Sequence, residues 1–288
     1  MNTTLEQDGL AKLDAPLVAR IERARAVLRD LGGGVVVAFS AGVDSSLLLA
    51  LAAQTIGAQK VLAAIGVSPS LPRRELEAGR QLARQLGVEL AEVRTGEMDD
   101  PAYTANPADR CFYCKKDLFT RLGALAGERG LAAVVSGANA DDAGDFRPGL
   151  KAGKALGVRN PLMEAGLTKA DVRAASRAMG LPTWDKPAMA CLASRLPYGE
   201  AVTVEKLGRV EQAEDALREL GLRQVRVRDH QTVARIEAPL EDLDKVLCSR
   251  QEIVARLKRL GYQYVSLDLQ GFRSGSMNEV LAATQTAR

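Results

Sequence analysis

The stretch "GVVVAFSAGVDSSLLLALAAQTIG", residues 34–57, constrains the fold more than any other part of this chain. It opens with a short, wholly apolar, β-branched run, the pattern of a strand buried on both faces in a parallel sheet. A turn at Gly42 follows at once, and then a helix that ends at Gly57. The alternation recurs. "KVLAAIGVSP" reads as a strand, "RRELEAGRQLARQLG" as a helix and "VELAEVRT" as a strand. Beyond a cysteine-bearing segment, "KKDLFTRLGALAGERG" is a helix and "LAAVVSGAN" a strand. An amphipathic helix, "LVARIERARAVLRDL", precedes them all and stops at Gly32–Gly34. Strands alternating with helices predict an α/β class with a parallel sheet covered on both sides.

The texture changes in "PTWDKPAMACLASRLPYG", a proline-rich passage that reads as a domain edge. After it come a helix ("VTVEKLGRVEQAEDALRELG"), paired strands ("RQVRVRDH" and "TVARIEA"), a helix ("LEDLDKVLCSRQEIVARLKRLG") and a strand ("YQYVSLDL"). The expected organisation is a parallel-sheet domain over residues 1–196 and a small α+β domain over 197–288. A chain of 288 residues has ample length for two such cores, and 47% apolar with 26% charged residues is ordinary globular composition. A net charge of +3 argues against a protein built mainly around a nucleic-acid backbone. The first thirty residues lack the pattern of a secretory signal, and no run approaches the roughly 18 apolar residues needed to span a bilayer. The expected compartment is the cytoplasm, where cysteines serve as ligands or catalysts more often than as disulfides.

The loop after the first strand has the elements of a phosphate site. Ligands of open α/β sheets bind beyond the carboxyl ends of the strands, and a helix N-terminus there offers free amides and a positive dipole end. Ser40, Ser45 and Ser46 add hydroxyls and Gly42 permits the tight turn. A plain serine-capped turn is the bland alternative. Neither G-x-x-x-x-G-K-[ST] nor G-x-G-x-x-G is present, which counts against Walker-type ATPases and Rossmann dehydrogenases. "FSAGVDSS" instead resembles the S-G-G-x-D-S signature of the PP-loop ATP pyrophosphatases, with Ser40, Gly42, Asp44 and Ser45 in register and Ala41 where a glycine is usual. "SGANADDAGDFRPG" resembles that superfamily's second nucleotide-side segment, which implicates Gly137 and Asp142 in binding ATP. Asp141, Asp142 and Asp145 read either as solvated loop acids or as oxygen ligands for Mg²⁺.

"NPADRCFYCKKDLF" sets Cys111 and Cys114 three positions apart in a chain with one histidine. The spacing suits an iron–sulfur site, a zinc clip, a redox pair or simply packed thiols. Zinc would need Cys248 or a carboxylate, because His230 is the only histidine. Cys248 falls on an amphipathic helix and is expected to pack as a small apolar side chain. Together with "GANADD", "ACLASRLPYGE", "VRVRDHQTVARIE" and "DLQGFRSGSMNEVL", this segment resembles the LarE sulfur transferases over nearly the whole chain.

That resemblance implies an ATP-dependent (AMP and pyrophosphate forming) enzyme acting on pyridinium-3,5-biscarboxylic acid mononucleotide, with Mg²⁺, in the maturation of the nickel-pincer cofactor of lactate racemase. It implies catalytic roles for Cys191, Asp44 and Arg195 and two sources of sulfur. One is a 4Fe–4S cluster on Cys111, Cys114 and Cys191; the other is Cys191 itself, spent in one turnover. It also implies a homo-oligomer. Arg226, Arg228 and His230 alternate along one predicted strand and so share a face, which alone reads as a solvated basic surface. By resemblance, Arg226 and Arg228, with Glu237 in the same patch, hold the substrate phosphate. Phe112 or Tyr113 stacks on a pyridinium ring or packs in the core. A tRNA thiolase, a relative using ammonia, and a non-enzymatic adenine-nucleotide sensor are the competing functions. Pyrophosphate release dependent on a carboxylated substrate separates the sensor from the enzymes.

Overall fold

The computed structural model describes residues 7–144 and 148–273. Asp145 and the "SGSMNE" part of the closing motif lie outside the described residues. In chain order the elements are α1 (Ala15–Asp30), β1 (Val35–Ala38), α2 (Val43–Ile56), β2 (Val61–Val67), α3 (Arg73–Gln85) and β3 (Glu89–Arg94). They continue as α4 (Pro101–Thr104), α5 (Arg110–Glu128), β4 (Ala133–Ser136), α6 (Pro148–Ala155), α7 (Pro161–Glu164) and α8 (Lys169–Ala178). The last are α9 (Val204–Glu219), β5 (Arg226–His230), β6 (Val233–Glu237), α10 (Leu243–Cys248), α11 (Arg250–Arg259) and β7 (Tyr264–Leu267). They form two compact units, Met1–Glu97 with Asp109–Lys186 and Met98–Ala108 with Pro187–Arg288. Among the described residues no helix is long and apolar enough to cross a membrane.

The first unit is the predicted parallel sheet, in the order β3-β2-β1-β4 with every pairing parallel. Alternate residues of β1 serve two cores. Val35 and Val37 pack with Leu47, Leu48 and Leu51 of α2 and with α1 and α8, while Val36 packs with Leu62, Phe119 and Leu122 on the other face. Burial on both faces is why the run carries no polar alternation. The helix after the cysteines starts earlier than the sequence suggested, at Arg110, so both thiols sit in its opening turns. The order β2-β1-β4 puts the loops after β1 and β4 side by side, because Ala38 pairs with Ser136 at their carboxyl ends.

In the second unit the predicted strand pair, β5 and β6, runs antiparallel, and β7 lies parallel to β6. Val227, Ala234 and Ile236 face a core with Leu217, Val246, Ile253 and Leu257 from α9, α10 and α11. The long helix expected over 240–261 is two helices. The chain leaves helical geometry at Ser249 (φ −91°, ψ 7°), and Val246 and Ile253 each reach the core from their own helix. The break overturns the expectation for Cys248. It closes α10 in an exposed position instead of packing inside.

Candidate active site

The phosphate loop is built by backbone geometry. Phe39 still donates to the Ala64 carbonyl at 2.8 Å, so the chain leaves the sheet at Ser40. Ser45 closes the turn. Its Oγ accepts from the Ser40 amide at 3.2 Å, lies 3.2 Å from Ser40 Oγ and donates to the Gly42 carbonyl at 3.2 Å. Gly42 is the N-cap of α2 and brings no side chain to the first-turn amides, which leaves them for a ligand. Ser46 is fully buried, and its hydroxyl has no partner among the described residues. Ala41 sits at φ +54°, a left-handed conformation that costs a residue with a Cβ about 1–2 kcal/mol. Strain of this kind persists where the surroundings enforce it. Here Lys186 Nζ donates to the Ala41 carbonyl at 2.9 Å and pairs with the buried carboxylate of Glu75 at 2.7 Å.

The loop after β4 closes against the same helix end. A Cβ on Gly137 would lie 2.8 Å from the Ser45 nitrogen, so only glycine allows this approach. Asn139 Nδ2 donates to Asp44 Oδ1 at 3.0 Å, and Lys169 Nζ reaches Asp44 Oδ2 at 2.5 Å. Two acids of this loop, Asp141 and Asp142, are engaged with backbone. Asp142 accepts from the Asn139 amide at 3.0 Å, and Asp141 accepts from the Lys169 amide at 2.8 Å. Among the described residues no group of three or more His, Cys, Asp or Glu side chains is placed to hold a metal ion.

Cys111 and Cys114 stand at i and i+3 near the N-terminus of α5, so they share a face, and they are exposed and half-buried respectively. Phe112 and Tyr113 meet edge to face at 5.7 Å, and neither is part of the buried core. Gly149 lets α6 come close beside them, since a Cβ there would lie 2.9 Å from Lys115 Cγ. Two thiolates on one helix face fit two ligand positions of a cluster. The third cysteine assigned to it, Cys191, belongs to the second unit.

Cys191 is half-buried at the N-cap of a short 3₁₀ turn, Leu192–Arg195. The turn is fastened from several sides. Ser194 Oγ donates to the Cys191 carbonyl at 2.8 Å, and Arg195 Nη1 donates to the carbonyls of Ala190 and Cys191 at 2.7 and 3.1 Å. The Arg195 guanidinium is 1% exposed and is held by both carboxylate oxygens of Glu214, at 2.7 and 3.1 Å. Arg228, also 1% exposed, meets Glu237 in the same bidentate way at 2.9 and 2.8 Å and donates to the Ser194 carbonyl at 2.6 Å. Asn106 donates to the Pro197 carbonyl at 2.6 Å and braces the exit from the turn. Arg226 is buried too. Its pKa is lowered to about 10 by burial first, then by the cations of Arg195 and Arg228. His230 is half-buried, and burial followed by the charge of Arg235 keeps its pKa below the ordinary histidine value. The face carrying Arg226 and Arg228 is therefore not a solvated basic surface.

Several of these residues escaped the sequence reading: Glu75, Asn139, Lys169, Lys186 and Glu214. One of them left a signal. Thr168 and Asp171 form a capping box that starts α8, which makes Lys169 a cation at the positive end of a helix dipole. A lysine there calls for an acid close by, and Asp44 supplies it.

Residues 23–110 match the family model described as NAD synthase. Over 262 residues the chain is 39% identical to the pyridinium-3,5-bisthiocarboxylic acid mononucleotide synthase of Lactiplantibacillus plantarum, covering 91% of this chain and 95% of that one. An uncharacterised protein of Synechocystis sp. is 45% identical over 92% of this chain and 99% of its own length. One of Methanocaldococcus jannaschii is 26% identical over 83% and 91%. With a PP-loop between β1 and α2 and a characterised relative matched almost from end to end, the chain belongs to the LarE family of ATP-dependent sulfur transferases.

Proposed function

We propose that this protein uses ATP to adenylate a carboxylate of pyridinium-3,5-biscarboxylic acid mononucleotide and converts it to a thiocarboxylate. The observation that carries the reading is the loop between β1 and α2, with its uncapped first-turn amides, its strained Ala41 and the Lys169–Asp44 pair beside it. In this reading Ser40, Gly42, Asp44, Ser45, Ser46, Gly137 and Asp142 surround the ATP phosphates. Mg²⁺ arrives with ATP. It keeps water and phosphate oxygens as most of its ligands and takes only one or two carboxylates from the protein, which suits Asp44 and Asp142. The adenylating machinery lies within residues 1–196, and 197–288 serve the substrate and assembly of a cytoplasmic homo-oligomer.

A substrate carboxylate oxygen attacks the α-phosphorus, the bond to the bridging oxygen breaks, and pyrophosphate leaves. The developing negative charge falls toward Lys169 and the amides of α2. The acyl adenylate now has AMP as its leaving group, so a sulfur nucleophile can add at the acyl carbon and expel it. Arg226 takes the substrate phosphate. The Arg228–Glu237 pair stands behind it, and Arg195 holds the Cys191 turn in place.

The sulfur has two candidate sources. A 4Fe–4S cluster on Cys111, Cys114 and Cys191 would supply a transferable sulfide, and the shared face of Cys111 and Cys114 favours it. The second source is Cys191 itself. Its Sγ displaces AMP, a base removes the Cα proton, and the Cβ–S bond breaks to give thiocarboxylate and dehydroalanine. Anaerobic purification with iron and sulfide analysis, followed by turnover with ATP and substrate, tests both. About four irons per chain with repeated turnover supports the cluster. A metal-free chain lighter by one hydrogen sulfide at position 191 supports the sacrificial route, and no substrate-dependent pyrophosphate release overturns the enzyme reading.

A further inference from the structure

Arg226 differs from the other two buried arginines beside it. Arg195 and Arg228 each face a carboxylate through two hydrogen bonds. Arg226 has no ion pair among the described residues. What it has is the ring of Phe272, whose centroid is 4.4 Å from the guanidinium carbon. A buried cation over an aromatic face recovers part of its lost hydration through the ring quadrupole, while its N–H groups stay available at the edge.

Backbone geometry puts the ring there. Gly271 lies at φ +70°, and a Cβ on it would be 2.9 Å from the Ala238 carbonyl oxygen. The turn is fixed by Gln270 N to Asp268 Oδ1 at 3.0 Å, Gly271 N to the Asp268 carbonyl at 3.0 Å and Phe272 N to the Ala238 carbonyl at 2.8 Å. Ala238 directly follows β6, whose Glu237 pairs with Arg226 across the strands. A glycine-only turn thus delivers an aromatic side chain onto Arg226, which has no ion pair among the described residues.

We infer that Phe272 is a positioning residue for the substrate's phosphate, holding the Arg226 guanidinium so that its N–H fork meets the anion and shielding one side of the contact from water. The inference rests on the reading that Arg226 binds that phosphate. Guanidinium forks bind phosphate best in one plane, so loss of the ring should weaken binding more than it slows chemistry.

Steady-state kinetics with pyridinium-3,5-biscarboxylic acid mononucleotide separate the two levels, with pyrophosphate release as the readout. Arg226→Ala is expected to raise KM at least about a hundredfold. Phe272→Leu should raise it about tenfold, with a much smaller change in kcat. Phe272→Tyr restores a ring and should return KM to within about twofold of the parent. Thermal transitions of all variants are read in parallel, and Phe272→Met replaces the leucine variant if that one does not fold. An unmoved KM in Arg226→Ala overturns both the phosphate reading and the inference. A large effect in Arg226→Ala with none in folded Phe272→Leu overturns the inference alone, as does a tyrosine variant no better than leucine.

Discussion

The two units hold charge in opposite ways. On the first, the ligand end of the sheet is made of backbone: uncapped amides on α2, a glycine approach at Gly137 and a left-handed alanine. Its main side-chain pair, Lys169 with Asp44, remains partly exposed. On the second, the cations are side chains, and Arg195 and Arg228 are closed into buried bidentate pairs before any ligand arrives. An open backbone site receives a large polyanion with little rearrangement. A closed side-chain site fixes local geometry, here that of the turn carrying Cys191. Of the three buried arginines around that turn, Arg195 and Arg228 are therefore scaffold, and Arg226 has no ion pair among the described residues.

The strongest way to break this division of labour is Cys191→Ala. It should abolish thiocarboxylate formation while leaving ATP- and substrate-dependent pyrophosphate release intact; parallel loss of both would merge the two roles. Glu214→Ala comes next. Removing one partner of a buried pair costs about 3–5 kcal/mol, because the Arg195 charge is left uncompensated. Chemical denaturation should show that loss, and a shift below about 1 kcal/mol would mean that Arg195 is not scaffold. Lys169→Ala should slow pyrophosphate release about a hundredfold with little loss of stability, as expected for a cation placed where charge develops. Unchanged rates would confine Lys169 to anchoring Asp44.

Two smaller effects sharpen the contrast. Ala41→Gly relieves about 1–2 kcal/mol of left-handed strain but adds about 1 kcal/mol of chain entropy in the unfolded state. The net change in stability should stay within about 1 kcal/mol, and a larger loss would credit the buried methyl with a packing role. The smallest effect concerns His230. Burial, then Arg235, holds its folded pKa below the ordinary value of 6.5. The unfolded chain therefore binds the proton more readily. Its contribution is full above about pH 6.5 and falls as pH drops through that value toward the folded pKa. His230→Gln should flatten the decline in Tm between pH 7 and 5.5; an identical decline would place it on the carboxylates.

Much of the frame was readable before any coordinates. Burial on both faces writes itself into "VVVAF" as unbroken apolar residues, and the glycine and serines after it mark the strand-to-helix turn. Alternation in "RVRDH" correctly put Arg226, Arg228 and His230 on one face. Local pattern failed where a packing choice intervened. The break at Ser249 leaves the amphipathic period almost unchanged, so the helix looked continuous and Cys248 looked inward.

The parallel sheet, the phosphate loop and the family are legible in the chain alone, because those depend on residue type at fixed local spacing. Tertiary structure alone decided which charges are spent. Lys169 meets Asp44 across 125 residues, Glu214 claims Arg195, Glu237 claims Arg228, and Phe272 rather than a carboxylate covers Arg226. The reason is physical. Periodicity reports which way a side chain faces, but the free energy of a buried charge depends on the partner that packing brings within hydrogen-bond reach.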